Sequence, residues 1–369
     1  MSEGLDPDVE SNLVMAAAPR FVLVTGTGRS GTSSVAGSLN LLGLHLPRPV
    51  LRTNDSNPRG FYESKWAIDF HKRVMDRAGI DTFDARPEAW DQVRKVLRPE
   101  DGVKVEGWLR GEAAHAPQTV VKDPRSAWMP GLWSDAAANV GLTPGYVAML
   151  RHPAEVIGSR STYYAKGDEA GIRHYRVMSV ARWVNASLLT ERQTRHAPRV
   201  FVRYDDLIED WRTALAAVGT DLDLTYNTEI MSGEPHAVDE FIDPALRRHQ
   251  VTWDELDVPA QLQDIAQDTW QACCVLADHH GYDDATQSRL DDLTRRYASL
   301  YRDAAAIAHD VTAAEVKVAR KKAVRETRTR LRNEAPSEGL SPSSRDFAAR
   351  TVAFARRAFV GVGRRVRRP

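Results

Sequence analysis

A three-layer α/β fold with a central parallel sheet is what this sequence predicts, and three observations carry that reading. Short apolar runs recur at 20–25, 118–122, 145–150 and 199–204. Long segments separate most of them, as crossover connections between parallel strands require. Each run hands over to polar or charged residues at its carboxyl end, where open sheets of this class bind ligands. The 369 residues suffice for one such domain with an appendage. Apolar residues at 42% and charged residues at 27% are ordinary for a globular chain.

The first run, Phe21-Val22-Leu23-Val24-Thr25, enters Gly26-Thr27-Gly28-Arg29-Ser30-Gly31-Thr32-Ser33-Ser34 and then a helix at 35–42. A strand–turn–helix of this composition aims backbone N–H groups and the positive end of a helix dipole at one oxyanion. Its glycines fit the dinucleotide pattern, Gly26-x-Gly28-x-x-Gly31, and most of a nucleoside triphosphate P-loop, Gly26-x-x-x-x-Gly31. Thr32 stands where the triphosphate loop needs lysine. The proline-broken Leu46-Pro47-Arg48-Pro49-Val50-Leu51 stands where a dinucleotide site needs a second strand ending in an acid. What the turn does hold is a guanidinium, Arg29, among hydroxyl and amide donors that suit a terminal phosphate without a metal. A turn that only caps a helix is the plainer alternative.

The second run ends in Lys122-Asp123-Pro124-Arg125 and the third in Arg151-His152-Pro153, with Ser159 inside the helix that Pro153 opens. A solvated lysine and a surface turn are the ordinary readings of these junctions taken singly. The fourth leads through Tyr204 into Asp205-Asp206-Leu207. Together these pieces resemble the sulfotransferases that use 3′-phosphoadenosine 5′-phosphosulfate, over roughly residues 20–300. The resemblance implies a P-loop-type fold in which Gly28, Arg29, Ser30, Gly31, Thr32 and Ser33 form the 5′-phosphosulfate loop. It places Arg151 and Ser159 on the 3′-phosphate, Lys122 beside the bridging oxygen, and Tyr204 near the adenine. Arg247 and Arg248 would add a late contact to the 3′-phosphate. The activated nucleotide is then the co-substrate, and no metal is required.

Sulfuryl transfer also needs a base. Sulfotransferases of phenols and steroids place a histidine two residues after the strand-end lysine, and Pro124 stands there. Carbohydrate-type members, which this chain resembles more, use a carboxylate after the phosphate loop, and Glu63 is the candidate. It follows the turn Asn57-Pro58-Arg59-Gly60-Phe61-Tyr62, where aromatic neighbours would half desolvate it and raise its pKa toward useful basicity. It also fits as an N-terminal partner of a helix at 64–78. His45 is a second nearby base, or a packed histidine. The segment up to Pro117 would cover the acceptor side. Trp66, Trp90 and Trp108 there read as core residues or as platforms for a sugar.

Residues 1–19 read as a flexible leader, and 20–300 as the α/β domain. The 3–4 spacing of Leu290, Leu293, Tyr297, Leu300, Ala304, Ile307 and Val311 predicts one long helix over 284–331, with a basic part over 301–332. It reads as docking on its own domain, or as pairing in a homodimer. A linker at 333–343 and a basic amphipathic helix at 344–369 follow. From Thr312 to Pro369 sixteen Lys/Arg face five Asp/Glu, although the whole chain carries 50 of each. The body is therefore acidic and the tail basic. Such a tail suits an anionic membrane surface or the acidic body itself. Nucleic acid is disfavoured by the acidic body and the absence of a binding motif. Two adjacent cysteines, Cys273 and Cys274, and no signal-peptide pattern lead to an expected cytoplasmic location, peripheral to the inner membrane face if the tail binds lipid. The acceptor would be a hydroxyl of a sugar, glycolipid or other small metabolite.

Overall fold

The computed structural model describes residues 17–54, 57–243 and 251–333. Strands β1 (Arg20–Thr25), β2 (Gln118–Lys122), β3 (Thr143–Leu150) and β4 (Arg199–Arg203) form a four-stranded sheet in the order β2-β1-β3-β4. Every neighbouring pair is parallel. The chain steps from β1 to one side and then returns to the other, so a topological switch point lies between β1 and β3. Open α/β sheets form their ligand crevice at such a point, outside the carboxyl ends of the strands. The loop after β1 and Arg151 after β3 both emerge there.

The helices are α1 (Thr32–Leu41), α2 (Lys65–Ala78), α3 (Ala89–Val96), α4 (Pro99–Ala113), α5 (Pro130–Asn139), α6 (Pro153–Tyr164), α7 (Glu169–Thr194), α8 (Tyr204–Glu209), α9 (Trp211–Asp221), α10 (Ala237–Phe241), α11 (Ala260–Asp278), α12 (Asp284–Ile307) and α13 (His309–Asn333). Alternation along the strands divides them into two layers. Val22, Val24, Val147 and Val202 face a core shared with α1, α8 and α9. Phe21, Leu23 and Val121 face the other way, against α2 to α5, while Ala148, Leu150 and Phe201 meet α6, α7, α11 and α12. With both faces covered, the strands need apolar residues throughout, which is why they read as continuous runs.

Several boundaries differ from expectation. α1 begins at Thr32 rather than at 35, because Gly31 takes a left-handed conformation (φ 95°) that ends the turn at once. β3 begins at Thr143, and Tyr204 opens α8 instead of closing β4. The helix expected over 284–331 is interrupted at Ala308, separating α12 from α13. Its buried stripe consists of Leu290, Leu293 and Tyr297, whereas Ile307 and Val311 are exposed. The interruption therefore falls where no core contact fixes the helix. Trp66 stacks on Trp108 at 4.5 Å within the core beside α2 and α4, and Trp90 lies beneath Arg94. The sugar-platform reading of these tryptophans is therefore set aside. Cys273 is buried and Cys274 half-buried, both as free thiols.

By contacts the chain divides into two compact units, Met1–Arg302 and Asp303–Pro369. Among the described residues no helix is long and apolar enough to cross a membrane. The leader up to residue 16, Arg247 and Arg248, and the segments at 334–343 and 344–369 lie outside the described residues.

Candidate active site

The loop after β1 is closed from within. Ser30 donates its hydroxyl proton to the Thr27 carbonyl at 2.6 Å and is itself buried. Arg29 takes a left-handed backbone conformation (φ 76°), uncommon for a residue with a side chain. At Gly31 a Cβ would come within 2.4 Å of Tyr204 Cδ2, so only glycine allows the loop this close to that ring. α1 starts directly afterwards, bringing its first amides to the same place.

Two side chains from different strand ends converge on this loop. Arg29 Nε donates to Ser159 Oγ on α6 at 3.2 Å. Arg151 Nη1 donates to the Arg29 carbonyl at 3.3 Å, and its Nε pairs with Glu155 at 2.9 Å. The Arg151 guanidinium lies 4.6 Å from the centroid of the Tyr204 ring, over its face. Burial raises the Tyr204 phenol above its ordinary pKa, against the opposing pull of Arg151 and Arg29. Tyr204 is therefore a neutral ring at physiological pH.

Lys122 leaves the end of β2 and reaches Glu63 Oε1 at 2.5 Å and Ser33 Oγ at 3.3 Å. Ser33 in turn donates to the Phe61 carbonyl at 3.2 Å, tying α1 to the turn that carries Glu63. Glu63 is 5% exposed, and its second oxygen lies 3.6 Å from Arg125. Its neighbours are thus two cations, a more polar setting than the expected aromatic turn.

Arg125 is anchored by a buried chain. Asp123 accepts from both the Arg125 backbone N–H and its Nη1, at 2.9 and 2.8 Å. On its other side Asp123 meets His71 Nδ1 at 2.9 Å, and Trp133 Nε1 donates to His71 Nε2 at 2.8 Å. An indole N–H can only donate, so His71 carries its proton on Nδ1. Burial would raise the Asp123 pKa, but its contacts with His71 and Arg125 outweigh that and hold it at about 2.

Arg29, Ser33, Glu63, Lys122, Arg125, Arg151, Ser159 and Tyr204 line one cavity of about 420 Å³. Of the residues expected from sequence, Gly28, Arg29, Gly31, Thr32, Ser33, Glu63, Lys122, Arg151, Ser159 and Tyr204 reach it. Ser30 does not, because its hydroxyl closes the turn. His45 is not in the wall either; it pairs with Glu112 at 2.7 Å and its backbone joins the edge of β2. The cavity also takes in Asn57, Arg59, Phe83, Arg125 and Arg160, which motif reasoning missed. Among the described residues six cationic side chains therefore line it, against the single carboxylate of Glu63. That balance suits a ligand with several negative charges. Among the described residues no cluster of His, Cys, Asp or Glu could hold a metal ion.

No family model matches the chain, and no curated protein matches it. Among solved structures it is similar to the sulfotransferase domain of the Synechococcus PCC 7002 olefin synthase, at 17% identity and a TM-score of 0.40. That match covers 76% of this chain and 99% of that one. It is also similar to the sulfotransferase domain from the curacin biosynthetic pathway, at 18% identity and a TM-score of 0.33, covering 73% of this chain and 99% of that one. Likeness at these values assigns no activity; the parallel sheet and its switch point stand on the geometry above.

Proposed function

We propose that the protein is a sulfotransferase of the carbohydrate type, moving the sulfuryl group of 3′-phosphoadenosine 5′-phosphosulfate to a hydroxyl of a sugar, glycolipid or other small metabolite. One observation carries this reading. Arg29, which donates to Ser159, and Arg151, which donates to the Arg29 carbonyl, come together from two strand ends in the cavity that also holds Lys122 and Glu63. Arg151 and Ser159 would hold the 3′-phosphate, Tyr204 would border the adenine, and the loop at 28–33 would take the 5′ end. The residues fit a nucleotide that carries several negative charges through charge-assisted hydrogen bonds alone.

In the reaction the acceptor oxygen attacks sulfur, the bond from sulfur to the 5′-phosphate oxygen breaks, and the hydroxyl proton passes to Glu63. Lys122 and Arg29 would neutralise charge growing on the leaving phosphate, as fixed cations do in related transfers. For Lys122 to serve that oxygen, it has to give up part of its contact with Glu63, which frees the carboxylate to accept the proton. Half-buried Arg125 would keep Glu63 in place meanwhile.

A thermal-shift panel of ATP with magnesium, NAD and adenosine 3′,5′-bisphosphate tests the reading. Selective stabilisation by the bisphosphate is expected, about 2.7 kcal/mol at a hundredfold excess over Kd. Stabilisation by ATP with magnesium instead would favour a P-loop kinase, and no response a scaffold without this activity.

A further inference from the structure

The cavity has a cationic end that the donor reading leaves unused. α6 sends two consecutive side chains in different directions: Ser159 meets Arg29, whereas the Arg160 guanidinium lies over the Phe83 ring, 4.8 Å from its centroid. Lys122, Arg125, Arg151 and Arg59 each pair with a carboxylate. Arg160, among the described residues, makes neither an ion pair nor a hydrogen bond, and its Nε is buried without a partner. With no described residue paired to it, the Arg160 guanidinium in the cavity wall keeps its charge available to an anionic ligand.

The wall opposite is preset. Trp128 Nε1 donates to the Thr82 carbonyl at 3.0 Å, and Asn185 Nδ2 donates to the carbonyls of Asp84 and Arg86 at 2.8 and 3.0 Å. The Tyr297 hydroxyl holds the Ala85 carbonyl at 2.6 Å. The segment carrying Phe83 is thus pinned from three elements. It comes directly over the phosphate loop: a Cβ on Gly28 would lie 3.1 Å from Phe83 Cζ and 3.4 Å from Arg160 Nη1.

We propose that Arg160, steadied on Phe83, is an anion subsite for the acceptor, so that the substrate carries a phosphate or carboxylate besides the hydroxyl that is sulfated. The inference rests on the sulfotransferase reading, in which Arg29, Lys122, Arg151 and Ser159 already serve the donor. The planar fork of Arg160 takes two oxygens of either anion. A neutral acceptor leaves that fork unpaired, so the subsite discriminates by the cost of an unmet donor.

Calorimetry on the full chain saturated with adenosine 3′,5′-bisphosphate tests this, with glucose, glucose 6-phosphate and glucuronate as probes. At least one charged sugar should bind ten times more tightly than glucose, and which one does so separates phosphate from carboxylate. Arg160→Gln should remove that preference while bisphosphate affinity stays within about twofold. Arg160→Lys, which keeps the charge without the fork, should reduce the preference at least threefold and decides the matter if the glutamine variant does not fold. Equal binding of charged and neutral sugars overturns the proposal, as does a preference that survives both substitutions or a parallel loss of bisphosphate affinity. Failure of the wild-type chain to bind the bisphosphate at all would instead overturn the sulfotransferase reading beneath it.

Discussion

Glu63 and Lys122 form the contact on which turnover should depend most. Replacing Glu63 by Gln keeps the shape of the side chain but removes the proposed proton acceptor. Turnover should fall by at least about a hundredfold, with bisphosphate affinity nearly unchanged; substantial residual turnover would remove Glu63 from the base role. His152 gives a pH-dependent expectation. Burial lowers its pKa from the ordinary 6.5, against the weaker upward pull of Gln267, and Nδ1 accepts the Ala154 N–H at the start of α6. The folded chain therefore binds this proton less readily than the unfolded chain. Stability that is present above pH 6.5 declines as the pH falls through that value and toward the lower folded pKa. His152→Asn keeps a capping acceptor without the titration, so its melting temperature should fall less between pH 7.5 and 5; an equally steep fall would refute this. Arg29 and Arg151 were legible in the sequence because they follow strand ends, and Ser159, inside α6, through its spacing from Arg151 in the family resemblance. Arg125 and Arg160 were not, since only the path of the backbone beyond a motif residue decides whether its neighbour reaches the cavity. Nor does the sequence say which of several loop hydroxyls, here that of Ser30, will be spent on closing the turn.

Strands were more legible than helix boundaries. A strand covered on both faces must be apolar throughout, and the four runs announced themselves for that reason. The start of α1 and the interruption at Ala308 depend instead on one backbone conformation and on where packing ends. Gly31 offers the direct test of such local control. Gly31→Ala meets both a left-handed backbone and the Tyr204 ring 2.4 Å away. The variant should lose about 1–3 kcal/mol in urea unfolding and bind the bisphosphate more weakly, because Tyr204 must move from beneath Arg151. A wild-type midpoint would show that the loop relaxes without involving the ring.

The parallel sheet was foreseeable for the whole molecule, but its order was not. Nothing in the apolar runs says on which side of β1 each later strand is laid, yet that order creates the switch point where the cavity opens. The charge division between body and tail is likewise a property of the whole chain. If the basic segment at 344–369 meets anionic lipid, deleting it should abolish flotation with phosphatidylglycerol vesicles; equal flotation of both chains would retire that role. The cavity also joins residues that are remote in the chain, with Arg29, Glu63, Lys122 and Arg151 supplied by four separate segments. A nucleotide bound across them as proposed would be a removable cross-link between distant parts of one polypeptide. Its arrival should slow amide hydrogen exchange throughout β1, β2 and β3, well beyond the groups it touches, and its departure should let those strands breathe again.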